Sequence, residues 1–90
     1  MIQQYYTYVL HSLKDDFFYV GFSKDLESRL KEHSKGYVLS TKDRRPFELI
    51  YYEVCFSLDD AIHREKYLKT TYGRHYIKNR TKNMKKGLLL

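Results

Sequence analysis

A small α+β domain is predicted by three observations. Two short aromatic and β-branched runs, Tyr5 to Leu10 and Phe17 to Phe22, are joined by the polar segment His11 to Asp16. A third run rich in strand formers spans Phe47 to Phe56. Two further stretches carry apolar residues at helical rather than alternating spacing. Ninety residues suffice for one core of modest size.

Taken in order, the first two runs predict antiparallel neighbours joined by a hairpin. Ser23 is placed to cap a helix that starts at Lys24, and Gly36 to stop it. The stretch from Tyr37 to Pro46 is polar and basic without a period, which predicts a loop. After the third strand, Ser57-Leu58-Asp59-Asp60 is close to a capping box. It opens a second helix that runs to about Thr70, with Gly73 expected to end or bend it. From Arg74 to about Lys86 the chain reads as helical at first and then as a basic tail.

Composition narrows the function classes. A hydrophobic fraction of 42% with 31% charged residues is that of a globular fold, not of a disordered chain. Ten tyrosines and five phenylalanines stand beside no tryptophan, so aromatic rings carry much of the packing. The lone cysteine, Cys55, excludes an internal disulfide framework and a cysteine-rich zinc site. No apolar run approaches the roughly 18 residues of a membrane span, and no signal-peptide pattern opens the chain. A cytoplasmic protein with no membrane role is the expectation. The net charge of +6 is placed unevenly, because residues 61–90 hold nine Lys/Arg against the single acid Glu65. Such a segment suits a polyanion, most simply a nucleic-acid backbone; a solvated helical face is the plain alternative.

Both helices put charge where apolar residues belong. Leu26, Arg29, Leu30 and His33 share one face of the first, and Leu58, Ala61, Ile62, Glu65 and Leu68 share one face of the second. An arginine, a histidine and a carboxylate on inward stripes are costly to bury. Each has an ordinary explanation: Arg29 tying down a carboxylate, Glu65 in a structural ion pair, His33 as a satisfied core or surface histidine. Tyr8 and Tyr19, taken singly, are strand tyrosines.

As an ordered set, these residues resemble the GIY-YIG nuclease superfamily, in its small single-domain branch related to the nuclease domain of the excinuclease C subunit. The first motif is degenerate as Tyr6-Thr7-Tyr8, with Tyr6 replacing the opening glycine, and the second is Tyr19-Val20-Gly21. Arg29 follows that glycine by eight residues, and Glu65 matches the metal-binding glutamate of the later helix. Ser40-Thr41-Lys42, Arg45-Pro46-Phe47, Tyr51-Tyr52-Glu53 and Gly73-Arg74 also fit the branch. Where some members carry a lysine after the second motif, Phe22 stands here, and Lys24 is the near cation. Asn79 is the nearest candidate for a late asparagine that assists some relatives.

The resemblance implies a three-stranded, largely antiparallel sheet flanked by helices over residues 1–80, with a basic tail over 81–90. It implies hydrolysis of DNA phosphodiester bonds with a single divalent metal, Mg²⁺ or Mn²⁺. Tyr8 would orient or activate the attacking water, Tyr19 would line the same pocket, and His33 would accept or relay the proton. Arg29 would clamp the phosphate, and Glu65 would bind the metal. DNA repair is among the settings compatible with such a domain. Two alternatives stay open: a weakly active or inactive nucleic-acid-binding module of the same fold, and a protein-interaction domain whose charge is incidental.

Overall fold

The computed structural model describes residues 2–90 as four strands and three helices. The strands are β1 (Tyr5–Ser12), β2 (Phe18–Ser23), β3 (Phe47–Cys55) and β4 (Leu88–Leu89). The helices are α1 (Leu26–Ser34), α2 (Leu58–Leu68) and α3 (Thr71–Arg80). The strands form one antiparallel sheet in the order β2-β1-β3-β4. The α+β class and the antiparallel sheet flanked by helices are therefore as expected, with a fourth strand added. Among the described residues no helix is long and apolar enough to cross a membrane.

The strand β1 lies in the middle, and its alternation feeds two cores. Tyr8 and Leu10 pack with Phe47, Leu49, Leu26 and Leu30 on the α1 face. Val9 packs with Val20, Leu68 and Ile77 on the face covered by α2 and α3. Thr7 to Leu10 is continuously buried because both faces of the strand are covered. Pairing with β3 slips between Val9 and Leu10, where one extra residue of β3 is accommodated as a bulge.

Helix boundaries follow side-chain chemistry more finely than spacing alone predicts. Asp25, not Ser23, caps α1: its carboxylate accepts from the Ser28 amide at 3.2 Å. The Ser23 hydroxyl lies two residues too early and instead accepts from the Asp25 amide at 3.0 Å. At the other end Gly36 takes φ +78°, with Gly36 N–H donating to His33 O and Tyr37 N–H to Glu32 O. That is a Schellman closure, and it is the stop expected of this glycine. Ser57 caps α2 through the Asp60 amide, as the capping-box pattern predicts. Leu58, assigned to the inward stripe, is exposed, because the first helical residue sits beyond the sheet. The loop before β3 contains one 3₁₀ turn, Lys42–Arg44.

Two expectations are corrected. Gly73 neither ends nor bends α2; it lies inside α3, buried, with its amide donating to the Thr70 cap at 3.1 Å. A Cβ there would collide with Tyr67 O and Leu68 Cα, so this glycine allows α3 to pass against the end of α2. The last residues are not simply a tail. Leu88 and Leu89 pair with Leu49 and Glu48, Leu90 N–H donates to Phe47 O at 3.0 Å, and Leu90 joins the α1-face core. A strand of two residues is too short to announce itself by alternation.

The collision at Gly73 fixes the sign of a substitution. Helix propensity alone would make Gly73→Ala stabilising by about 1 kcal/mol. We expect instead a loss of about 1–3 kcal/mol in urea unfolding, as for other overpacked sites. A gain in stability would mean that the two helices are not in close contact at this point.

Candidate functional site

The residues singled out by sequence meet around one tyrosine hydroxyl. Tyr8 on β1 stands directly opposite Gly21 on β2. Its ring lies across the space that a side chain at Gly21 would fill, since a Cβ there would be 2.6 Å from Tyr8 Oη. This passage lets the hydroxyl reach α1, where it meets His33 Nε2 at 2.8 Å. The glycine of the second tyrosine motif thus makes room for the tyrosine of the first.

His33 is held from its other side as well. Its Nδ1 lies 2.8 Å from Thr41 Oγ1, and that hydroxyl donates to Val38 O at 3.4 Å. In the tautomer that matches this direction, Nδ1 carries the hydrogen and donates to Thr41. The Nε2 lone pair then faces Tyr8, whose O–H is the donor. The chain therefore runs Tyr8 to His33 to Thr41 to the Val38 carbonyl, every link a donor to the next. The Tyr19 ring meets the imidazole edge-on at 5.2 Å and lies 6.4 Å from the Tyr8 ring.

Burial sets the protonation states of this chain. Tyr8 and His33 are both 0% exposed. Burial pushes the Tyr8 phenol up to about 12, and the guanidinium of Arg29 beside it works against that rise. Burial, reinforced by the charge of Arg29, holds the His33 imidazole down at about 4. At neutral pH the phenol keeps its proton and the imidazole has none to spare.

Arg29 and Glu65 lie at the rim. Arg29 is 37% exposed and pairs with Glu32 one turn along α1 at 2.9 Å. Glu65 is 17% exposed and pairs with Lys69 one turn along α2 at 3.4 Å. Its negative charge contributes to the rise of the Tyr8 pKa, which puts it within electrostatic reach of the phenol from the second helix. Neither rim residue is locked to the other. Pairs of this kind, within one helix and open to water, are weak and readily released.

Some sequence candidates fall elsewhere. Lys24 borders a different groove, with Tyr6, Tyr52 and Leu88. Asn79 is exposed on α3 and takes no part in the hydrogen bonds around Tyr8. Within the basic last third, Arg64 is withdrawn from the charge surplus: it pairs with Glu53 at 2.7 Å and lies over the rings of Tyr67 and Tyr76. Lys66, Lys69, Arg74, Lys78 and Arg80 remain exposed. The residue that sequence reasoning missed is Thr41, whose part in orienting His33 depends on how the loop folds back. Its place in Ser40-Thr41-Lys42, a run that resembles the single-domain branch, was the one available signal.

The family model of the GIY-YIG catalytic domain matches residues 4–85. The chain belongs to the GIY-YIG family. It is 36% identical over 70 residues to a UPF0213 protein of Staphylococcus saprophyticus, covering 77% of this chain and 84% of that one. It is 34% identical over 85 residues to a UPF0213 protein of Clostridium perfringens, covering 93% of this chain and 81% of that one. The solution NMR structure of a UPF0213 protein from Bacillus halodurans superposes with a TM-score of 0.54 at 26% identity. That match spans 86% of this chain and 84% of the other. GIY-YIG membership indicates a nuclease-type domain whose substrate is nucleic acid and whose chemistry generally uses a divalent metal.

The buried imidazole generates a pH prediction. Its folded pKa lies below the ordinary value of 6.5, so its neutral form favours the fold. That contribution is complete above about pH 6.5 and is lost as pH falls to about 4, by up to about 1.4 kcal/mol per pH unit. Imidazole signals followed by NMR should keep His33 neutral down to about pH 4. A midpoint near 6.5 would mean that the ring is open to water.

Proposed function

We propose that this protein is an endonuclease that hydrolyses DNA phosphodiester bonds with one divalent metal ion. The observation that carries this reading is the directed hydrogen-bond chain Tyr8–His33–Thr41 running beneath Arg29. Arg29 clamps the scissile phosphate and stabilises the charge that grows on its oxygens, work for which a planar guanidinium is suited. As a water oxygen attacks phosphorus, Tyr8 Oη takes the water proton and passes its own to His33 Nε2. The bond from phosphorus to the leaving sugar oxygen breaks, that oxygen takes a proton from solvent water, and His33 later returns its extra proton to solvent. Because the phenol receives one proton while releasing another, its pKa of about 12 does not block the step. The resulting imidazolium keeps its hydrogen bond to Thr41. Tyr19 packs on the imidazole and fixes its plane.

Among the described residues no cluster of three His, Cys, Asp or Glu is placed to enclose a metal ion. The donor set is instead a single carboxylate, Glu65, beside a phosphate clamp. This fits Mg²⁺ or Mn²⁺ sharing its coordination shell with water and substrate oxygens. Such an ion would supply Lewis-acid stabilisation of the phosphoryl oxygens.

One observation favours a second reading, that of a non-catalytic nucleic-acid-binding module. Tyr8 and His33 have no exposed surface, so water reaches the phenol only if substrate binding opens the floor of the site.

Cleavage of labelled duplex, single-stranded and branched DNA, with and without Mg²⁺ or Mn²⁺, separates the two. We expect metal-dependent product from the wild type. Tyr8→Phe should lower the rate by about 10²–10⁴-fold, the usual range for losing a proton-transfer group. Glu65→Gln should abolish turnover while leaving the melting temperature within a few degrees. Arg29→Lys should show a strong loss of rate, since an ammonium cannot form the planar fork. Salt-sensitive DNA binding with no product under any metal, unchanged in the Arg29 and Glu65 variants, would establish the module instead.

A further inference from the structure

Beside the proposed site, at the free edge of β2, lies a cavity of about 230 Å³. The buried Leu68 and Val20 line it, Tyr19 stands on β2 with Phe17 just before that strand, and Lys69 and Arg74 border it from the end of α2 and from α3. We propose that this cavity seats one unpaired nucleotide next to the scissile phosphate, its base on Phe17 and its phosphate on Arg74 and Lys69. The inference rests on the nuclease reading and adds a substrate class to it: DNA with a single-stranded or displaced nucleotide at the cut.

Four features of the cavity carry the assignment. The first is Phe17, which is 72% exposed yet held on an ordered turn. Its carbonyl accepts from the Ser12 amide at 2.9 Å, and its amide donates to Asp15 Oδ1 at 2.9 Å. Asp15 is in turn gripped by Arg44 at 2.6 Å, a hydrogen bond that keeps its carboxyl well below the usual range. A large ring left in water on a tethered backbone is a stacking surface with little ordering entropy left to lose.

The second feature is the pair of cations. No carboxylate pairs with Arg74 among the described residues; its one side-chain bond is to Thr71 Oγ1 at 3.3 Å. Lys69 has only the weak pair with Glu65. The third is volume: at about 230 Å³ the cavity is smaller than the roughly 300 Å³ where drug-sized pockets begin, room for one planar base and not for a duplex. A base reaches it only when out of its helical stack. The fourth is position. Tyr19 lines this cavity and also packs on His33, and Lys69 joins it to Glu65, so an occupant sits one residue from the proposed chemistry.

Fluorescence anisotropy tests this with the full chain, a labelled single-stranded oligonucleotide and a blunt duplex of equal length, in EDTA over a series of salt concentrations. Loss of one stacked base is worth about 1–3 kcal/mol, or about 5–150-fold, so Phe17→Ala should weaken single-strand binding by at least about 5-fold. Its effect on the duplex should be under 2-fold, and Phe17→Tyr should restore affinity. Arg74→Ala should reduce the slope of log K against log salt by about 0.7, the value for one single-strand phosphate, whereas Phe17→Ala should leave the slope unchanged. Wild-type affinity and slope in both variants, with DNA still bound, would overturn the nucleotide pocket and leave the nuclease reading standing. A wild type that binds neither DNA at low salt would remove both.

Discussion

Two polar groups with no access to water, the Tyr8 hydroxyl and the His33 imidazole, must satisfy each other, and the rest of the α1 face follows from that bond. Each alone would carry an unpaired desolvation cost of about 1–3 kcal/mol. Together with Thr41 they leave no orphan: no buried side-chain nitrogen or oxygen among the described residues lacks a partner. The bond is possible only because Gly21 presents no side chain where the Tyr8 ring crosses to α1. Once His33 is anchored, the helix can neither slide nor roll without breaking it. Arg29, one turn earlier on the same face, is thereby held beside the phenol.

Two groups of charged residues behave differently. On the α2 side, Glu53 holds Arg64 in a forked pair, and Tyr51 donates to the same carboxylate at 2.7 Å. Burial pushes Glu53 up, but the hydrogen bonds from Arg64 and Tyr51 outweigh it and keep the carboxylate below its ordinary range. Arg64 is also stacked between Tyr67 and Tyr76. Every member of that group is matched by another, so it is a structural network that joins α2 to β3. Arg29 on α1 and Glu65 on α2 instead form ion pairs only with residues one turn along their own helices, pairs that a ligand can displace at small cost. Similar residue types thus serve stability in one group and are only loosely held in the other.

Local signals were legible where one residue decides one feature. The aromatic and β-branched runs of β1 and β2, the cap at Ser57 and the stop at Gly36 could all be read from neighbours a few positions away. Arg29 and His33 stood out because they occupy an apolar stripe, and the structure gives that stripe its reason: both lean toward Tyr8. What could not be read depended on distant partners. Gly73 looks like a helix end in isolation because its need for closeness comes from the end of α2. Leu88 and Leu89 look like part of a tail because their partners lie some forty residues earlier, at Glu48 and Leu49. The part of Thr41 could not be read from its motif, because a loop without periodicity brings it to Nδ1. In each case propensity yielded to a tertiary contact.

The layering of the site bears on how it could work. Its cationic and acidic members lie at the rim, where a phosphate and a metal can approach through water. Its proton-handling members lie beneath, where low dielectric keeps the phenol protonated and the imidazole neutral. A resting site arranged in this way has no strong base exposed to solvent, so the relay stays idle until something raises the proton affinity of His33. On the proposed nuclease reading, a phosphate bound at Arg29 would do so directly. It would offset the cation whose charge, together with burial, holds the imidazole down. On that reading substrate binding and base activation would be one electrostatic event, with the buried hydrogen-bond chain coupling them.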